Sequence, residues 1–267
     1  MNLSTRFNRA RFTGGALPAF LSVVLILAVA ISLAALLPER PVTQPLPDFS
    51  TIEQVSERKR SFFGFLGPIV QAENHRVARQ RERLLELIEA LRAGSEPGWL
   101  DRRWLADLAE EYELEELDPT SESGLAELRL RVDIVPVPLA MVQAATESAW
   151  GRSRFARQGN NLFGQWCYQE GCGLVPAQRP AGASHEVAVF SSPRRSVRRY
   201  INNLNTHSAY APLREIRAQR RAEEQPITAM SLTPGLIRYS ERRQDYVDEV
   251  RAVIRQNQSL INELLSG

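Results

Sequence analysis

One run of the chain, residues 17–37, reads LPAFLSVVLILAVAISLAALL and carries no charge. It has the length needed to cross a bilayer as a helix. Arg6, Arg9 and Arg11 precede it, and Glu39 and Arg40 follow. The positive-inside rule then predicts a cytoplasmic N-terminus over residues 1–16 and a membrane anchor over residues 17–37, with the remainder exported. The rival reading is a cleaved signal peptide, which needs a shorter apolar core and a small-x-small cleavage site. AALLPER is a poor site of that kind, and no lipobox cysteine lies nearby. Residues 38–72 read as linker and arm. PERPVTQPLPDFS resists helix through its prolines, and RKRSFFGFLGPIV is apolar and punctuated by glycine.

Helical periodicity begins at residue 74. Leu84, Leu87, Ile88 and Leu91 recur at three- and four-residue steps, and GSEPG ends the pattern. Leu100, Trp104, Leu108 and Tyr112 repeat every fourth residue and predict a second amphipathic helix. SGLAELRLRVDIV predicts a third. Pro136 and Pro138 open a mostly apolar helix, PLAMVQAATESAWG, stopped at Gly151. It reads as a buried central helix with Glu147 in its last turns. NNLFGQWCYQEGCGLVP is irregular, and HEVAVFSS alternates as a short strand does. SVRRYINNLNTH is helical, with Val197, Ile201 and Leu204 on one face, and two further helical stretches close the chain. The expected fold class is α+β, mostly α. A domain over residues 73–267 carries a small strand-and-loop lobe after the Glu147 helix.

Composition adds limits. The chain is 43% hydrophobic and 24% charged, as a globular protein is. A formal net charge of +2 makes no case for nucleic acid as a partner. His75, His185 and His207 are scattered, and two cysteines cannot alone form a four-ligand zinc site. No metal or other cofactor is expected. Cys167 and Cys172 can form a disulfide in an exported loop, or remain two free thiols.

The candidate chemistry sits at Glu147. A carboxylate at the C-terminal end of a helix faces the negative end of the dipole. Apolar neighbours disfavour its charge further. Both effects raise its pKa, as a general acid requires. The alternative is an ion pair with Arg152 or Arg154 that serves the fold. Downstream, GNNLFGQW offers amides and aromatic rings of the kind that bind sugars. The plainer reading is a turn over a plug of Leu162 and Phe163.

Taken together, MVQAATESAWGRSRFARQGNNLFGQW and NNLNTHSAY resemble the glucosaminidase family of bacterial wall hydrolases, related to the flagellar muramidases. WCYQEGCGLVP and SVRRYINNLNTHSAY are similar to its Bax-like branch. The resemblance covers residues 135–210 and extends toward the C-terminus. It implies a lysozyme-like fold and cleavage of the β-1,4 bond that follows N-acetylglucosamine in peptidoglycan glycans. Glu147 takes the general-acid position. Tyr210 takes that of a cleft tyrosine, and Asn160, Asn161, Phe163 and Gly164 those of the bordering loop, with Trp166 beside it. Two carboxylates are usual in glycoside hydrolysis. Glu186 and Glu170 are the candidates for the second, and a substrate-assisted route needs none. A lytic transglycosylase and an inactive wall-binding scaffold are the competing functions.

Overall fold

The computed structural model describes residues 45–177, 179 and 182–266. The expected cytoplasmic segment and anchor, residues 1–37, lie outside the described residues. Among the described residues no helix is long and apolar enough to cross a membrane.

Helix α1, Val55–Arg92, is 38 residues long. The boundary expected at residue 73 therefore falls inside a continuous helix, and the expected arm is its first half. Phe62, Phe63, Leu66 and Val70 are all 0% exposed. Gly64, Gly67 and Pro68 hid this half, because glycine and proline cost about 1 and 3 kcal/mol in a helix. Burying four large side chains, at about 1.5–3 kcal/mol each, outweighs that cost. Gly67 faces Met141 and Leu265.

Helix α2 is Trp99–Glu111. Its buried face is Leu105, Leu108 and Ala109, with Tyr112 just beyond, while Leu100 is exposed. The expected stripe had to drift, since each four-residue step overshoots a helical turn by about 40°. Helix α3, Glu122–Arg131, starts at a Ser121 cap whose side chain accepts from Gly124 N–H. It stops before Val132, short of the expected end. The chain there runs as a buried strap whose carbonyls are satisfied by side chains. Arg81 donates to Val132 O, Asn205 to Asp133 O, Arg217 to Ile134 O and Asn74 to Val135 O.

Helix α4, Val137–Glu147, is the buried centre, with every residue from Leu139 to Ala145 buried. It packs against α1 and the C-terminal helix α9, Gln244–Ser266. It ends at Glu147, four residues before Gly151. The Ser148 hydroxyl donates to Ala144 O and accepts from Gly151 N–H, closing the helix early. Ala149, Trp150 and Gly151 then follow with φ of 51°, 60° and 77°. Two non-glycine residues in this left-handed region cost about 1–2 kcal/mol each. Trp150 is held there by packing on Phe62 and Phe63, with ring centroids 5.9 and 5.0 Å away.

A short helix α5, Arg154–Gly159, leads into the strand lobe. Strands β1, Trp166–Cys167, and β2, Gly173–Leu174, were legible only as irregular chain. Both pair antiparallel with β3, Glu186–Ala188, giving the order β1-β3-β2. Cys167 and Cys172 are joined by a disulfide across the tip. Helix α6, Pro193–Thr206, buries Val197, Tyr200, Ile201 and Leu204 against α1. Helices α7, Ala211–Ala222, and α8, Ala229–Leu232, complete the helical body.

One buried carboxylate ties α1 to α6. Glu73 is 0% exposed and accepts from Arg76, Arg194 and Arg198. Burial pushes its pKa up, but the hydrogen bonds from Arg198 and Arg194 outweigh burial and hold it at about 2.

Candidate active site

Glu147 is the last residue of α4 and is half-buried. Its Oε1 accepts a hydrogen bond of 2.9 Å from the Tyr246 hydroxyl on α9. Neither arginine offered as its ion-pair partner reaches it. Arg152 donates to Ala149 O and Arg154 to Val175 O. The fold-serving ion pair is therefore absent among the described residues.

Behind the carboxylate runs a chain of hydrogen bonds in one direction. Tyr200 donates to Gln143 Oε1 at 2.6 Å, and Gln143 Nε2 donates to the Tyr246 oxygen at 2.9 Å. Tyr246 in turn donates to Glu147. Gln143 stands one turn before Glu147 on the same face and is 0% exposed. It is the lone polar residue in the apolar run LAMVQAA, the sequence signal that could have exposed the network. Tyr246 lies 99 residues from Glu147, and no local pattern links the two.

Burial raises the Glu147 pKa. The Tyr246 hydrogen bond and the charge of Arg242 oppose the rise, and the Glu249 carboxylate adds to it. The balance keeps the pKa above the ordinary carboxylate value. Arg242 itself pairs with Glu249 at 2.6 Å. Glu249 is thus a second carboxylate acting on Glu147, on the helix that also supplies Tyr246.

The NNLFG loop reaches the same place. Gly164 has φ +65°, and a Cβ there would stand 3.7 Å from Glu147 Oε2. That distance is ordinary contact, so it is the left-handed backbone that calls for glycine here. The other loop residues face inward. Asn160 donates to Phe190 O. Asn161, 1% exposed, donates to Gln165 O and Ala188 O while its Oδ1 accepts from Phe163 and Gln165 N–H. Phe163 stacks on Tyr200 with centroids 3.9 Å apart, and its carbonyl accepts from Tyr239. These three side chains hold the loop's shape, and Asn161 and Phe163 are buried in doing so while Asn160 is half-buried. The plug of Leu162 and Phe163 is real, and it positions Gly164 over the acid.

Tyr210 packs 5.8 Å from Tyr239, which stacks on Tyr246 at 5.2 Å. Burial, with the Glu147 charge adding to it and an Asn203 hydrogen bond opposing, pushes the Tyr210 pKa up to about 12. Trp166 is 57% exposed and stacked on His185, a ring surface open to a ligand. Both other acids belong to the strand lobe. Glu186 accepts from Gly171 and Gly173 N–H, at 3.1 and 2.7 Å, and closes the disulfide hairpin. Glu170 is exposed in the hairpin turn. The two sulfurs and the Glu186 carboxylate lie within 4.8 Å of one another, but bonded sulfurs offer no thiolate to a metal.

A half-buried carboxyl of raised pKa, held by a tyrosine beneath a loop glycine in a mostly helical α+β domain, is an arrangement in which a general acid can work. The profile of the glucosaminidase family, described as mannosyl-glycoprotein endo-beta-N-acetylglucosaminidase, matches residues 125–259. The chain belongs to this family. It is also similar to the protein bax of Escherichia coli strain K12. The two are 33% identical over 216 residues, covering 81% of this chain and 76% of that one. The chain is thus a Bax-like member. No solved structure matches it.

Proposed function

We propose that the protein is a peptidoglycan hydrolase that cleaves the β-1,4 bond following N-acetylglucosamine, with Glu147 as its general acid. The observation that carries this reading is the Glu147 carboxyl. Burial raises its pKa, and Tyr246 holds it beneath Gly164. When protonated it can donate a proton to the leaving glycosidic oxygen. Tyr246 fixes which oxygen of the carboxyl stays free. The exposed Trp166 ring would carry a pyranose face.

A single-acid route is a second reading, favoured by where the other carboxylates sit. Glu186 is engaged by the hairpin and Glu170 is exposed at its tip. A lytic transglycosylase needs one acid and leaves an anhydro-muramyl end. Mass spectrometry of fragments released from sacculi separates the two. A reducing N-acetylglucosamine end supports hydrolysis, an anhydro end supports transglycosylation, and no release leaves a wall-binding scaffold.

The uncharged run at residues 17–37 supports inner-membrane anchoring with the domain in the periplasm. A C-terminal alkaline phosphatase fusion should be active and a cytoplasmic fluorophore dark. A mature chain starting near residue 38 would contradict the anchor.

A further inference from the structure

Gln165 follows Gly164 directly, so the chain that faces Glu147 continues into the strand lobe. There it opens a cavity of about 410 Å³ lined by Gln165, Trp166, Tyr168, Phe190 and Arg199. A second cavity, about 330 Å³, is lined by Phe190, Arg195, Arg198, Arg199 and Asn202, with Glu111 at its edge. Phe190 and Arg199 line both, so the two cavities are neighbours. Their lining extends from Gln165, the residue after Gly164, to Arg195 and Asn202 on α6.

The chemistry of this groove is cationic and aromatic. Arg195 has no ion-pair partner among the described residues and is exposed. Arg199 meets only exposed groups, Asn202 at 3.1 Å and Glu113 at 3.6 Å. The one acid in the lining, Glu111, is already engaged by Arg76 and Gln80, each at 2.6 Å. Both amide atoms of Gln165 are buried without a hydrogen-bond partner. A buried amide left unpaired costs free energy that a polar ligand would recover. Tyr168, 70% exposed, and Trp166 present rings beside it. A sugar needs no guanidinium pair, whereas a carboxylate is matched by the planar fork of arginine.

We propose that this groove seats the stem peptide of a muramyl residue, with Arg195 and Arg199 holding its free carboxylates and Gln165 its amide backbone. The inference rests on the peptidoglycan reading above. A stem peptide branches from the glycan strand, and the groove starts at Gln165, one residue beyond the Gly164 that faces the acid. Peptide-bearing strands would then be held in preference to bare ones.

The test compares two soluble ligands, N-acetylglucosaminyl-N-acetylmuramic acid with and without its tetrapeptide. Titration calorimetry on the full chain carrying Glu147→Gln keeps both uncleaved. The peptide-bearing ligand should bind about tenfold more tightly, the effect of one charge-assisted hydrogen bond. Adding Arg195→Gln and Arg199→Gln should bring the two affinities within about twofold. Arg195→Gln alone, at an exposed side chain without an ion-pair partner, should remove part of the preference while the thermal midpoint stays unchanged. Equal affinities in the arginine-bearing protein, or no binding of either ligand, overturn the groove. A preference that survives the double substitution also overturns it. Arginine-dependent binding of a soluble glycerol-phosphate polymer, with no peptide preference, would instead make it a phosphate site. Cleavage of bare glycan by the unsubstituted chain judges the hydrolase reading separately.

Discussion

Glu147 and Tyr246 set the scale of a single proton. The hydroxyl of Tyr246 donates to the carboxyl and so favours its ionised form, against the larger effect of burial. Tyr246→Phe removes that donor, and the Glu147 pKa should rise further. A general acid works while protonated, so the alkaline limb of kcat/KM should move to higher pH. The maximum rate should fall too, because the carboxyl loses its orientation. A pH–rate profile checks this, and a limb that stays or moves down would show that Tyr246 does not act on the acid. At this scale the sequence was partly legible. Glu147 stood out because a charge ended an apolar run, and Gly164 through the family resemblance of NNLFG. Tyr246 and Glu249 did not, because their proximity depends on α9 returning across the molecule. Asn160, Asn161 and Phe163 look from sequence like sugar ligands, yet a turn needs the same amides and rings to hold itself.

The strand lobe is the element that carries Trp166 and Tyr168. Its strands are two or three residues long, so pairing alone holds it weakly. The Cys167–Cys172 disulfide closes a small ring, for which loop entropy gives on the order of 2 kcal/mol. The Cys167→Ser/Cys172→Ser double variant should unfold at a midpoint lower by several degrees. Its release of fragments from sacculi should fall with the loosened Trp166. Thermal scans with and without reductant check the first point, and an unchanged midpoint would make the bond incidental. Element boundaries were the least legible feature. The amphipathic half of α1 is plain in Leu84, Leu87, Ile88 and Leu91. Its first half is hidden by Gly64, Gly67 and Pro68, where packing overrides local preference.

Across the whole molecule, the buried Glu73 joins α1 to α6, and so supports the helix that bears Tyr200 and the groove arginines. Its pKa is lowered to about 2 in the folded state. Its contribution to stability is therefore complete above the ordinary carboxylate value near 4.5. It is lost as pH falls through about 2. Glu73→Gln should destabilise by about 3 kcal/mol at neutral pH, since it leaves the Arg194 and Arg198 guanidiniums without their carboxylate. Denaturant titrations should show that difference steady from pH 7 to pH 5 and shrinking below. A difference that grows with acid would contradict the ion cluster. The central claim is that Glu147 is the proton donor, and Glu147→Gln in the full chain tests it most directly. The substitution keeps the shape and removes the proton. Release of fragments from sacculi should fall at least about a hundredfold. The thermal midpoint at neutral pH should hold or rise, because a carboxyl whose pKa is raised is disfavoured once ionised. Near-normal turnover with a lowered midpoint would contradict the account and make Glu147 a structural residue.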